Sequence, residues 1–198
     1  MKTAIAKLVS RPTINLMRLA LLGCTITAAP MLFAQHEGHG SAHAQTVHDQ
    51  TSTSQLVQDV RNATAQYINV NNAVAAGYGP FLGCVSGTDH GAMGIHYVNG
   101  ALVGDGKLDI ATPEALIYEP SGGKLQLVGV EFIVDSATWL ANNNNTAPAL
   151  DGQVFTLVGI PNRFNIPAPF FELHVWAWRD NPQGAYVDWN NHVTCEGE

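Results

Sequence analysis

The chain has 198 residues, of which 46% are hydrophobic and 13% charged. That is the composition of one ordinary globular domain; it excludes a collagen-like or wholly disordered chain, and the length excludes a multi-domain enzyme. Nine Lys plus Arg stand against sixteen Asp plus Glu, an acidic balance that the N-terminus partly offsets.

Lys2, Lys7, Arg11 and Arg18 precede an apolar stretch, Leu19 to Ala34, with no acidic residue among them. A positive start, a short apolar run and a small residue after Pro30 form a secretory signal pattern over residues 1–34. The run has 16 residues, short of the roughly 20 that a membrane span needs. The mature chain is therefore expected to carry no transmembrane span and to be periplasmic or secreted. Leu21-Leu22-Gly23-Cys24 also has the look of a bacterial lipobox, which would make Cys24 a lipid anchor and the protein an envelope lipoprotein. Without the four N-terminal cations, five Lys plus Arg face sixteen acids, a net charge of −11. Such a surface repels nucleic acid, so no nucleic-acid partner is expected.

Residues 35–52 contain His36, His39, His43 and His48 and almost no large apolar side chain. This reads as a flexible tail able to capture metal loosely, or as a plain solvated linker. The single globular domain is expected over residues 53–198. Ser52 with Gln55 has capping-box spacing, and Leu56, Val60, Ala63, Tyr67, Val70 and Val74 recur at helical intervals. One amphipathic helix is predicted to run to about Ala76, with Gly77 as its stop.

Beyond Cys84 the pattern changes to β-branched and aromatic runs: 93–98, 114–118, 124–135, 153–159, 170–179 and a short one near 185–189. Gly, Asn, Asp and Pro clusters separate them, which is turn chemistry. The expected fold class is α+β: one N-terminal amphipathic helix packed on a strongly curved, mostly antiparallel sheet or small β-barrel. In an oxidising compartment Cys84 and Cys195 form an even pair. They are read as a disulfide in preference to two free thiols or a thiolate metal site, because neither has a CxxC partner.

Polar residues inside apolar strands carry the functional signal, because an unpaired charge there costs several kcal/mol unless it is neutralised, paired or metal-bound. His96, Glu119, Glu131 and His174 are such residues. Period two places Leu125, Leu127, Gly129, Glu131 and Ile133 on one strand face, and Glu172, His174, Trp176 and Trp178 on another. If those faces meet, His96, Glu131 and His174 form a ligand set for a divalent transition metal, with Glu119 and His90 in reserve. Zn, Cu, Fe, Ni and Mn all suit two imidazoles and a carboxylate. An ordinary polar core would instead bond His174 internally and pair Glu131 with Arg163 or Arg179. A metal-free alternative is a small-molecule module whose mouth is lined by Tyr97, Tyr118, Trp176 and Trp178; a third is a lipid-anchored interaction protein. Asp105 and Asp109 lack the acid ladder of a calcium loop. No nucleophile elbow or phosphate-cradling Gly loop is present, so whether the protein is an enzyme, and by which residues, stays open.

The strings 91–99 (GAMGIHYVN), 113–120 (PEALIYEP), 127–132 (LVGVEF) and 173–179 (LHVWAWR), with Cys84, Asn181-Pro182, Trp189-Asn190 and Cys195, resemble a family of uncharacterised exported bacterial proteins. The resemblance covers roughly residues 60–195. It implies a self-contained exported domain and assigns no functional residue.

Overall fold

Helix formation begins at Ser54, whose hydroxyl accepts the Val57 N–H and also meets the Tyr186 hydroxyl. The computed structural model describes residues 54–198; the leader, the Cys24 lipobox, the His-rich tail and the Ser52 cap lie outside the described residues. The predicted single helix is broken into three pieces: α1 (Gln55–Thr64), a 3₁₀ turn (Ala65–Ile68) and α2 (Val70–Ala75). The break falls at Asn69, whose side chain accepts the Asn71 N–H and so caps a new helix in place of continuing the old one. The break also re-phases the apolar stripe. Leu56, Val60 and Tyr67 are buried as expected, but in α2 Ala73 is buried and Val74 is exposed.

Six strands form one antiparallel sheet in the order β1 (Gly79–Gly87), β2 (Gly91–Val98), β3 (Ala115–Ser121), β4 (Lys124–Asp135), β8 (Phe170–Val175) and β7 (Thr156–Val158). Short helices α3 (Gly100–Val103) and α4 (Ser136–Asn142) lie between strands, and β5 (Ala149–Leu150) and β6 (Gln153–Val154) form a separate hairpin. The sheet is a strongly curved half-barrel with free edges at β1 and β7. Bulges in β1 and at the β3–β4 pairing interrupt the register, the usual means of bending a sheet.

The sheet's two faces carry different side chains. On one, Leu116, Tyr118, Val130, Phe132, Leu173 and Val175 pack against Leu56, Val60 and Tyr67 of the helices. The Tyr118 hydroxyl donates to the Tyr67 carbonyl, 2.7 Å away, which fixes sheet to helix. The other face is covered at one end by the C-terminal segment, through a small cluster of Ala92, Ile117, Val128, Trp176 and Val193. Asn190 bridges to Ala92 along the backbone, and Cys195 closes onto Cys84 by a disulfide with Cα atoms 5.6 Å apart.

Several strand expectations change. β1 coincides with none of the predicted runs, the first of which starts at residue 93. The 153–159 run divides at Phe155 into β6 and β7. The 170–179 run leaves the sheet after Val175, and the Trp178 and Arg179 N–H groups both donate to the Val128 carbonyl. Residues 185–189 are turns and bends, not a strand.

Glu119 has a structural position. Its carboxylate pairs with Arg179 and accepts the Thr194 N–H at 2.9 Å, which ties β3 to the C-terminal segment. Removing the guanidinium would leave a buried carboxylate with one partner. Arg179→Ala is expected to cost about 2 kcal/mol, below the usual range for buried pairs because the Arg side chain is partly solvated. Urea unfolding would measure it, and metal content should not change; a lost metal with stability intact would return Glu119 to the ligand set.

Candidate metal centre

The site is built on the sheet face opposite the helices. Glu131 on β4 stands directly across from His174 on β8 and from Ala115 on β3. Ala115 is fully buried and small, so the His96 ring reaches over β3 to Glu131, with Nε2 3.4 Å from Oε2. The His96 and His174 rings are perpendicular with centroids 5.8 Å apart. One ligand atom from each of His96, Glu131 and His174 lies within 4.8 Å of the others, and all three residues are buried. The three side chains singled out in the sequence therefore converge.

Side chains along β4 do not alternate strictly between the two faces. The β3–β4 register slips at Ile117/Tyr118, so Leu127 packs with the helices while Glu131 and Ile133 face the other way. Strict alternation through a bulge misassigns everything on one side of it. Trp178 is likewise on the helix side, its indole N–H 3.0 Å from the Thr64 hydroxyl.

Two further carboxylates belong to the site. Glu172 precedes His174 by two on β8, so the same period that put both on one strand face could have identified it as a ligand. Asp188 comes from the irregular C-terminal segment and carried no sequence signal. Glu172, His174 and Asp188 form a second convergent set sharing His174, whose Nδ1 is 3.7 Å from Asp188 Oδ1. That segment is held in place by two buried asparagines: Asn181 donates to the Trp189 carbonyl and Asn190 to the Asp180 carbonyl.

Burial dominates the electrostatics. It lowers His96 to about 3, helped by His174, and lowers His174 to about 4, so both rings are neutral, the form that ligates metal. Burial and the neighbouring Glu172 carboxylate push Glu131 well above the ordinary carboxylate range. Burial raises Glu172 to about 7, opposed by its hydrogen bond with Glu131. Asp188 is raised by burial and lowered by Arg163; Arg163 itself stacks on Trp189, 4.6 Å from the ring centre. Glu114, a buried neighbour, is raised by burial to about 7 although its Oε2 accepts the Ile133 N–H.

The hydrogen-bond accounting is incomplete at one place. Among the described residues, neither His174 nitrogen has a hydrogen-bond partner, nor does Oε2 of Glu172, and all three atoms are buried. A buried polar atom left unpaired costs about 1–3 kcal/mol, so three in one cluster mark a site arranged for something other than self-satisfaction.

The other candidates do not converge on it. His90 is exposed in the β1–β2 turn, near Trp189. Glu119 is engaged by Arg179. Tyr97 and Tyr118 stack edge to face within the helix-side core, so the four-aromatic mouth does not form. Trp176 alone of that set is beside the centre, stacked on His174 and donating its N–H to the Val187 carbonyl.

Two concavities flank the cluster. Asp188 lies in a polar recess with His90, Thr156 and Gln183. His96 and Glu131 line a separate cavity of about 420 Å³ whose other walls are apolar. At its rim Leu82 has φ 63°, a left-handed conformation costing a non-glycine residue about 1–2 kcal/mol, where β1 bulges between Phe81 and Val85. Among the described residues no helix is long and apolar enough to cross a membrane. The chain matches no protein-family model, no curated protein and no solved structure.

Proposed function

We propose that this is an exported protein that binds a divalent transition metal ion through His96, Glu131 and His174, with Glu172 and Asp188 completing or orienting the ligand set. The observation that carries the reading is the pair of buried, neutral and unpartnered imidazole nitrogens of His174 where two carboxylate-containing ligand groups overlap. Nitrogen and carboxylate donors without thiolate suit Zn, Cu, Fe, Ni or Mn. The polar recess at Asp188 supplies an access route for the ion. Three protein ligands leave positions at which such an ion polarises water or a small oxygenated ligand. The leader-like N-terminus and the Cys84–Cys195 disulfide support an oxidising compartment outside the cytoplasm. The mass of the mature N-terminus distinguishes a soluble protein starting at Gln35 from one lipidated at Cys24.

Elemental mass spectrometry on the protein from Gln35, with and without His96→Ala and His174→Ala, tests the reading. One ion per chain, lost in the double variant, is the expected result. Metal retained by the variant would place it on the His-rich tail. Absence of metal after equilibration with all five ions would end the proposal.

The pH dependence gives a second check. An ordinary two-histidine site loses affinity below about pH 6.5 as its rings protonate; here both rings stay neutral down to about pH 4. The competing protons are on the carboxyls: burial, with Glu172 beside it, raises Glu131 well above the ordinary carboxylate range, and burial raises Glu172 to about 7. Binding is expected to release protons from these carboxyls, so affinity rises with pH. Titration calorimetry in buffers of differing ionisation enthalpy measures this, and zero release would contradict it. For the metal-free protein the sign runs both ways. Glu172, raised to about 7, contributes stability below its unfolded value that is lost as pH rises through 7; the depressed histidines contribute stability above 6.5 that is lost as pH falls toward 3.

A further inference from the structure

The apolar cavity is a second feature of the same face, and its lining is independent of the metal ligands except at one end. Val85 and Val98 of the first two strands, Ile133 of β4, Val103 of α3 and Phe164 and Ile166 of the loop before β8 form its walls. Among the described residues, His96 and Glu131 are the only polar side chains that line it, and no Lys or Arg does. Without a lysine or arginine among those lining residues, the cavity offers an anion no cationic side chain. A concave space of about 420 Å³ falls within the ~300–1,000 Å³ typical of small-molecule sites. Phe81 and Leu82, which also line it, are 40% and 53% exposed, so two large apolar side chains face water at its mouth. Leu82 is also held there in an unfavourable backbone conformation, and such conformations concentrate at ligand clamps.

We infer that this cavity binds an uncharged, largely apolar small molecule and holds it against the His96–Glu131 side of the centre. The inference deepens the metal reading by naming the class of molecule presented to the ion, and rests on it only for that last point; the cavity stands without the ion. The two concavities share no lining residue: Asp188 opens on the polar recess, and His96 and Glu131 open on the apolar cavity. An apolar wall excludes water from that side and strengthens every electrostatic interaction at His96 and Glu131.

The test is fluorescence titration of N-phenylnaphthylamine, an uncharged apolar probe, into the protein from Gln35, metal-free and Zn-loaded. Saturable binding of one probe per chain is expected in both forms. Val103→Trp and Ile166→Trp add bulk to separate walls of the cavity, and each should weaken probe binding about tenfold or more while leaving zinc per chain unchanged. Two variants on different elements guard against one failing to fold. The sulfonated analogue, anilinonaphthalene sulfonate, should bind the metal-free protein about tenfold or more less tightly, because the cavity has no cationic side chain. No probe binding, binding untouched by both tryptophans, or equal binding of the sulfonate would overturn the inference. Probe binding without zinc would sink the metal reading alone, and zinc without probe binding would sink the cavity reading alone.

Discussion

Replacing His174 by leucine is expected to strengthen the metal-free fold while abolishing its metal site. Both ring nitrogens are buried and unpartnered, and each unpaired polar atom costs about 1–3 kcal/mol relative to a satisfied one. Leucine has comparable bulk and no polar atom, so His174→Leu should raise metal-free stability by about 1–3 kcal/mol, the gain being limited by imperfect fit against Trp176. The same change removes the side chain common to both ligand sets, and zinc affinity should fall about a hundredfold or more. Wild-type protein at a zinc concentration of about 100 times Kd should gain about 2.7 kcal/mol, a gain absent from the variant. Urea unfolding with and without zinc measures both effects. A histidine kept for structure would behave the opposite way: the variant would be weaker metal-free, and zinc would stabilise both proteins equally.

Loss of the Cys84–Cys195 disulfide is the largest expected effect on stability alone. The bond joins residues 111 apart in sequence, so in the chain-entropy account it removes freedom from most of the unfolded domain, worth about 4–5 kcal/mol; measured values run nearer 2–4 kcal/mol. A local contribution adds to this. Glu198 accepts the Cys84 N–H at 2.9 Å, and the segment so anchored carries Asp188, Trp189 and Asn190 onto the site face. Cys84→Ser with Cys195→Ser should lower stability by about 3–5 kcal/mol, with metal affinity reduced through Asp188 while His96, Glu131 and His174 remain on the sheet. Urea unfolding compared under oxidising and reducing conditions gives the first number, and zinc titration below the unfolding transition gives the second. Equal stability of the reduced and oxidised forms would show that the C-terminal segment is held by packing alone.

Much of the fold was legible because it depends on local pattern. The helical stripe from Leu56 buries one side by periodicity, while β2, β3 and β4, buried on both faces, read as continuous apolar runs; both patterns are visible in a linear string. The errors have physical causes. Asn69 offered its own side chain as a cap and split the helix. The bulge opposite Ile117/Tyr118 reversed the phase of β4, so Glu131 reached the intended face by an argument that holds only on its own side of the bulge. Beyond Val175 the aromatic alternation of Trp176 and Trp178 continued in sequence while the chain turned, sending one indole to His174 and the other to Thr64.

By itself the sequence determined the class of fold, the cysteine pair and the three side chains, His96, Glu131 and His174, whose burial in apolar strands needed explaining. The cost of an unpaired polar group in an apolar strand is local enough to read from neighbours. Only the tertiary structure decided that these three converge, that Ala115 leaves the gap His96 crosses, that Glu119 is spent on Arg179, and that Glu172 and Asp188 belong to the site. It also decided where the apolar cavity lies, since its walls come from β1, β2, α3, β4 and the loop before β8. Convergence depends on strand register, bulges and the return of the C-terminal segment across the sheet. Those are set by the packing of residues far apart in the chain, which no local spacing encodes.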